Sequence, residues 1–204
     1  MLKNIIYVFV LLCCINTTST AQKSYSDSLQ AYRFKYVNTH EVVKTLDDRK
    51  LLTFFDADSN YRVVATFTKI DDKIGFKMPT SAKSIQQYYR YGKISFTING
   101  TALELFVYQP KDVVSFDEEE DLLFIPFFDL TNGSDTYEGG RYIDISSKDI
   151  VNNTVVIDFN KAYNPYCCYT SGYHCPIPPK ENSLNFAMKA GEKKYPHHIG
   201  GKVQ

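Results

Sequence analysis

Tryptophan is absent from this 204-residue chain, methionine occurs three times and histidine four. A core built without tryptophan must take its bulk from other rings, and 16 tyrosines and 14 phenylalanines supply them. Net charge is missing too, with 23 basic residues balancing 23 acidic ones. Nucleic-acid binders carry a basic footprint, so no nucleic-acid partner is expected. No apolar run approaches the roughly 20 residues that cross a bilayer as a helix, and no internal repeat is visible. The G-x-S-x-G elbow that would support a Ser-His-Asp triad does not occur. Cysteine and histidine also lack the spacing that lets one turn hold zinc: Cys167 and Cys168 are adjacent, as are His174 and Cys175. Neither a metal nor a cofactor is expected.

The first feature present is a leader. Lys3 gives a basic start, Ile5 to Cys14 an apolar stretch of about 10 residues, and Ser19-Thr20-Ala21 a small-residue cleavage site before Gln22. Residues 1–21 are expected to be a signal peptide, and residues 22–204 a single exported domain, periplasmic or secreted. Cys13 and Cys14 follow Leu12 and Cys13, where a lipobox has a small residue, which argues against a lipid anchor. Removing the leader takes away only Lys3 among the charges. The acidic run from Asp117 to Asp121 reads as a solvated loop between strands.

Leu29, Tyr32, Tyr36 and Val37 fall on one helical stripe, with Ser26 or Asp27 as its cap. The pattern then changes to period two. Strands are expected over Arg62 to Ile70, Ile74 to Phe76, Ile85 to Tyr91, Lys93 to Ile98, Thr101 to Tyr108 and Leu122 to Phe128. Asn99-Gly100 is the strongest hairpin signal, because both turn residues must reach positive φ. Tyr142 to Ile145 and Thr154 to Phe159 flank Asn152-Asn153 and are expected to pair as a second hairpin, and Leu184 to Lys189 to form a last strand. The fold class is therefore mainly β. It is an antiparallel sandwich or barrel-like sheet with one N-terminal helix and a long C-terminal loop rich in Pro, Tyr and Cys.

Chemistry concentrates between Thr136 and Glu192. Side chains alternate across a strand, so Arg141 shares a face with Ile143 and Ile145, whereas Tyr142 and Asp144 take the other. If the isoleucines face the core, a guanidinium points inward and must be paired, because an isolated buried charge costs several kcal/mol. Two readings follow. Arg141 grips a carboxylate or phosphate of a ligand, or it is satisfied by carbonyls of the long loop or by Glu138, Glu181 or Glu192. The same alternation gathers Asp144, Asp158 and Asn160 on the opposite face, as an acid/base pair or as caps that pin the loop. A loop of this length needs a function or a staple. Cys167 and Cys175 offer a disulfide, with Cys168 left over; a Cys/His metal site and a catalytic thiolate beside His174 are the competing readings. The tyrosines, Tyr137, Tyr142, Tyr163, Tyr166, Tyr169 and Tyr173 among them, suit either core packing or the faces of sugar rings and small amphipathic ligands.

These blocks resemble those of the bacterial and archaeal domain-of-unknown-function family numbered 1684. The resemblance lies in T-Y-x-G-G-R-Y at Thr136 to Tyr142, D-F-N-x-A-Y-N-P at Asp158 to Pro165, Cys167, C-P-x-P-P-x-E-N at Cys175 to Asn182, and A-G-E-K at Ala190 to Lys193. An F-x-D-x-T-x-G pattern at Phe127 to Gly133 precedes them. The family has no assigned activity, so the resemblance implies only that the block is a hallmark. The leading functional expectation is binding of a small polar or anionic ligand, with Arg141 as anchor and Tyr137, Asp158, Asn160, Tyr163 and Asn164 as candidate contacts. One alternative is a hydrolase-type enzyme using Glu138, Asp144, Asp158 or Glu181; another is a structural lock without ligand.

Overall fold

The computed structural model describes residues 22–111 and 121–199. The leader at 1–21 and most of the acidic run lie outside the described residues. Helix α1 covers 22–39 and α2 covers Leu46–Arg49. Seven strands follow: β1 Arg62–Lys69, β2 Phe76–Pro79, β3 Ile85–Ile98, β4 Thr101–Pro110, β5 Leu122–Phe127, β6 Arg141–Ser146 and β7 Thr154–Asp158. They form one curled antiparallel half-barrel in the order β6-β5-β4-β3-β1-β7, with β2 also on β3.

Local sequence explains most of these elements. β1 buries Ala65 and Phe67 and exposes the residues between them, the alternation of a strand with one face on a core. The β3–β4 hairpin turns on Asn99 and Gly100, at φ 49° and 77°. The two segments expected at Ile85 to Tyr91 and Lys93 to Ile98 are one long strand, whose register shifts between Arg90 and Gly92. A bulge there bends the strand and helps the sheet curl. The concave face carries the main core, including Ile94, Leu105, Leu123, Ile125, Ile143, Val155, Ile157 and Phe159.

Three expectations are corrected. Residue 22 is already helical, so Ser26 and Asp27 lie inside α1 rather than capping it. β6 and β7 do not pair. Asn152 and Asn153 do turn the chain at positive φ, but only Val151 and Thr154 bridge. β6 then runs along β5, while β7 covers the edge of β1, which would otherwise show unpaired backbone groups. Finally, Leu184 to Lys189 is not a strand. Leu184 bonds Phe128 and Leu130 bonds Phe186, but the carbonyl of Met188 turns to Arg141 and cannot continue a ladder.

The two edges nearly meet at one point. Tyr142 on β6 exchanges both backbone hydrogen bonds with Tyr163, five residues beyond the end of β7, at 2.9 and 3.0 Å. That bridge lays the C-terminal loop along the free edge of β6.

Candidate functional site

The convex face presents a second aromatic layer. Tyr88, Tyr108, Phe124 and Tyr142 pack there, on the side opposite Leu123, Ile125 and Ile143. Helix α1 and the loop after Tyr163 stand over part of this layer and leave a cleft of about 640 Å³. Tyr32 and Tyr36 line it from the helix, Tyr88, Phe124 and Tyr142 from the sheet, and Tyr163, Tyr166 and Tyr173 from the loop. Adjacent rings meet steeply: Phe124 and Tyr142 at 71° with centroids 4.7 Å apart, and Tyr142 and Tyr163 at 86° and 5.8 Å.

Asp144 is the polar group at this corner. It follows Tyr142 by two residues on β6 and so shares its face. Its Oδ2 accepts the Tyr163 hydroxyl at 2.6 Å. Asp144 is exposed on β6, and partial desolvation by the surrounding protein raises its pKa above the ordinary aspartate range, with Tyr163's hydrogen bond partly opposing the rise. Asp144 and Tyr163 also line a second cavity of about 470 Å³, which includes Asp158, Arg62 and Lys161.

His40 adds an unusual donor. Its Nδ1 accepts from the amides of Val42 and Val43 at 3.2 and 2.9 Å, which places the proton on Nε2. Nε2 is buried and has no hydrogen-bond partner within the protein, although His40 lines the cleft. Burial first, then the nearby Arg49 charge, lower the imidazole pKa to about 4, so the ring is neutral near pH 7.

Behind the cleft lies a buried carboxyl, Glu192, which is 0% exposed. It accepts from Tyr36 at 3.1 Å, from Tyr169 at 2.7 Å and from the Asn164 amide at 2.9 Å. Burial raises its pKa to about 7, and these donors keep the rise from going further. Tyr36 thus links the cleft wall to Glu192.

Arg141 points inward as strand alternation requires, and its partner is Asp129. The guanidinium is 0% exposed, donates from Nη2 to Asp129 Oδ2 at 2.8 Å and to the Met188 carbonyl at 2.8 Å, and from Nη1 to the Ala190 and Glu192 carbonyls. Asp129 is occupied in turn, since Oδ1 accepts Thr131's amide and hydroxyl and the Met188 amide. Arg141 lines neither cavity, and it pairs with none of Glu138, Glu181 or the Glu192 carboxylate.

The other predicted residues separate in the same way. Tyr163 lines both cavities and Asp158 the smaller one. Asn160 is buried and exchanges bonds with the backbone of Asp58, while Asp158 accepts the Asn160 amide and the Tyr25 hydroxyl. Asn164 donates to Glu192 and to the Lys193 carbonyl, and Tyr137 to the Cys167 carbonyl. Glu138 pairs with Lys194 at 2.7 Å and Glu181 with Arg90 at 2.8 Å, outside both cavities. Cys167 and Cys175 are joined as a disulfide, so neither sulfur is left for a metal. Cys168 is buried, and its thiol is pushed up to about 12, far from a reactive thiolate.

The remaining hallmark residues tie the loop down. Asn182 inserts its side chain where β4 and β5 separate: Oδ1 accepts Phe106 N at 2.7 Å, and Nδ2 donates to the carbonyls of Phe106 and Pro126. It fills a ladder position beside a proline that lacks an N–H. Gly140, at φ 86°, lies where a Cβ would sit 2.6 Å from Pro178 and 2.8 Å from the Phe127 carbonyl. Gly140→Ala is expected to cost about 2–4 kcal/mol, combining positive-φ strain with overpacking. A urea denaturation midpoint equal to that of the unmodified protein would refute this.

This chain matches the family described as protein of unknown function, DUF1684, over residues 48–193. The chain belongs to the DUF1684 family. Its fold is also seen in an uncharacterised protein of Haloarcula marismortui, whose structure was determined in solution by NMR. The two are 30% identical and superpose with a TM-score of 0.64 over 88% of this chain and 99% of that one. No curated protein matches the chain. Residues 48–193 include the sheet and the C-terminal loop, but α1, which carries Tyr32 and Tyr36, precedes them.

The cleft residues were partly legible. Tyr142, Tyr163, Tyr166 and Tyr173 were open to a ligand role from their concentration in one segment. Tyr32 and Tyr36 read only as part of a helical stripe, and Tyr88, Phe124 and His40 carried no local signal, because they reach the cleft only through the sheet and the helix packing.

Proposed function

We propose that this protein binds a small amphipathic, ring-bearing ligand in the tyrosine-lined cleft, with Asp144 and Tyr163 as its polar anchor. The observation that carries this reading is the cleft itself: about 640 Å³ of space walled by rings, with one hydrogen-bonded carboxyl at its corner. Ligand sites combine this volume and apolar lining with a few placed polar groups. The unpartnered His40 Nε2–H supports the reading, since a buried donor without an acceptor costs about 1–3 kcal/mol and a bound acceptor would recover it. The polar anchor thus moves from Arg141, which is engaged by Asp129, to Asp144. An exported location fits the Cys167–Cys175 disulfide, a bond that persists in oxidising compartments.

The test is an NMR titration of the purified protein with sugars, aromatic amines, aromatic alcohols and heterocycles, observing the tyrosine resonances. At least one compound is expected to shift signals from Tyr142 and Tyr163. Tyr163→Phe, which keeps the ring and removes the hydroxyl, is expected to weaken that compound about 10-fold, in line with a hydrogen bond to a charged group. A panel that perturbs no cleft residue would leave the block as a structural lock.

A further inference from the structure

The cleft has a sign. Its ionisable lining, among the described residues, consists of the Asp144 and Glu41 carboxyls, the His40 and His174 imidazoles and tyrosine hydroxyls; neither lysine nor arginine lines it. Both carboxyls are held by tyrosines, Asp144 by Tyr163 at 2.6 Å and Glu41 by Tyr166 at 2.9 Å. A hydroxyl orients a carboxylate without neutralising it. The ring faces add to the same potential, because an aromatic quadrupole is negative at its face and attracts cations.

The basic residues Lys161 and Arg62 line the neighbouring cavity rather than the cleft. Lys161 sits over the Tyr32 ring, 4.9 Å from its centroid. Arg62 lies opposite Asp158 in the β1–β7 register and shares the second cavity, not the cleft, with Asp144. Desolvation raises the Asp144 pKa and the Tyr163 hydrogen bond opposes the rise. Asp144 thus offers an exposed carboxylate at the corner of the cleft, and the rings that meet at steep angles in the same lining present the negative faces that attract a cation.

We infer that the ligand presents a cationic amine, primary or methylated, to Asp144, with its hydrocarbon or ring portion against Tyr142, Phe124 and Tyr163. This rests on the cleft being the binding site and adds the charge of what it takes. A protonated imidazole would repel the amine, and His40 is held neutral by burial.

Benzylamine, benzyl alcohol and benzoate share one ring and differ in charge, so titrating the purified protein with each separates the cation from the cleft. Benzylamine is expected to bind at least about 10-fold more tightly than benzyl alcohol, with benzoate weakest. Asp144→Asn, which keeps the shape and an acceptor for Tyr163, is expected to erase the preference. Tyr163→Phe keeps the charge and should retain it, which guards against a fold defect in the first variant. Benzyl alcohol or benzoate binding as tightly as benzylamine, with shifts at Tyr142 and Tyr163, would overturn the cation while leaving the cleft as a site. No shift with any of the three, together with a blank wider panel, would overturn both.

Discussion

Arg141→Ala is expected to destabilise the protein by about 3–5 kcal/mol, a large share of the 5–15 kcal/mol that holds a typical domain together. The reason is what the variant leaves behind. Asp129 would remain fully buried with its Oδ2 charge unmatched, and the carbonyls of Met188, Ala190 and Glu192 would lose their shared donor. Met188 belongs to the segment that fails to form a last strand, and Ala190 and Glu192 follow directly, so the guanidinium stands in for a ladder there. Arg141→Lys is expected to be nearly as damaging, since an ammonium cannot present the planar fork that reaches a carboxylate and several carbonyls at once. Combining Arg141→Ala with Asp129→Ala should cost clearly less than the two single losses added together, because removing both charges abolishes the unpaired one. Urea unfolding of the four proteins gives the cycle. A single-variant loss below about 1 kcal/mol, or strict additivity, would show that the pair is not what secures the C-terminal segment.

Glu192→Gln is expected to change how stability depends on pH. The folded pKa of Glu192, about 7, lies above the ordinary value of 4.5 that holds in the unfolded chain, so between these pH values the folded state holds a proton that the unfolded state has released. This contribution is present in full below about pH 4.5 and is lost as pH rises towards 7, by roughly 3 kcal/mol in total. His40 works in the opposite sense. Its folded pKa of about 4 lies below 6.5, so its contribution is lost as pH falls through that interval. The two slopes nearly cancel from about pH 4.5 to 6.5. Glu192→Gln removes one of them, and the variant should then gain stability with rising pH over that interval where the unmodified protein stays almost level. Taking the difference between the two proteins at each pH removes the titration of the other carboxyls. A difference that does not vary between pH 4.5 and 7 would mean that Glu192 is not a protonated buried acid.

Much of the local structure was legible because it rests on short-range rules. Period-two alternation located the strands, and Asn99-Gly100 located the sharpest hairpin. Alternation also turned Arg141 inward beside Ile143 and placed Tyr142 and Asp144 on the opposite face. The partners were not legible. Glu138, Glu181 and Glu192 were the candidate partners for Arg141, yet the residue across the buried space is Asp129, which the family pattern marked without saying why. β6 and β7 looked like a hairpin from their turn, but the free edge of β1 lies in reach of β7 once the sheet curls.

The sequence alone therefore established that this protein takes its aromatic bulk from tyrosine and phenylalanine, that its middle is a run of strands, and that Arg141 shares a strand face with Ile143 and Ile145. These follow from side-chain size, backbone alternation and the conformational freedom of the turn residues, each of which acts over a few positions. Only the tertiary structure decided which tyrosines face open space. Tyr36, Tyr88, Tyr142 and Tyr163 come from a helix, two strands and a loop, and what separates a core ring from a ligand-facing one is whether another element fills the volume in front of it.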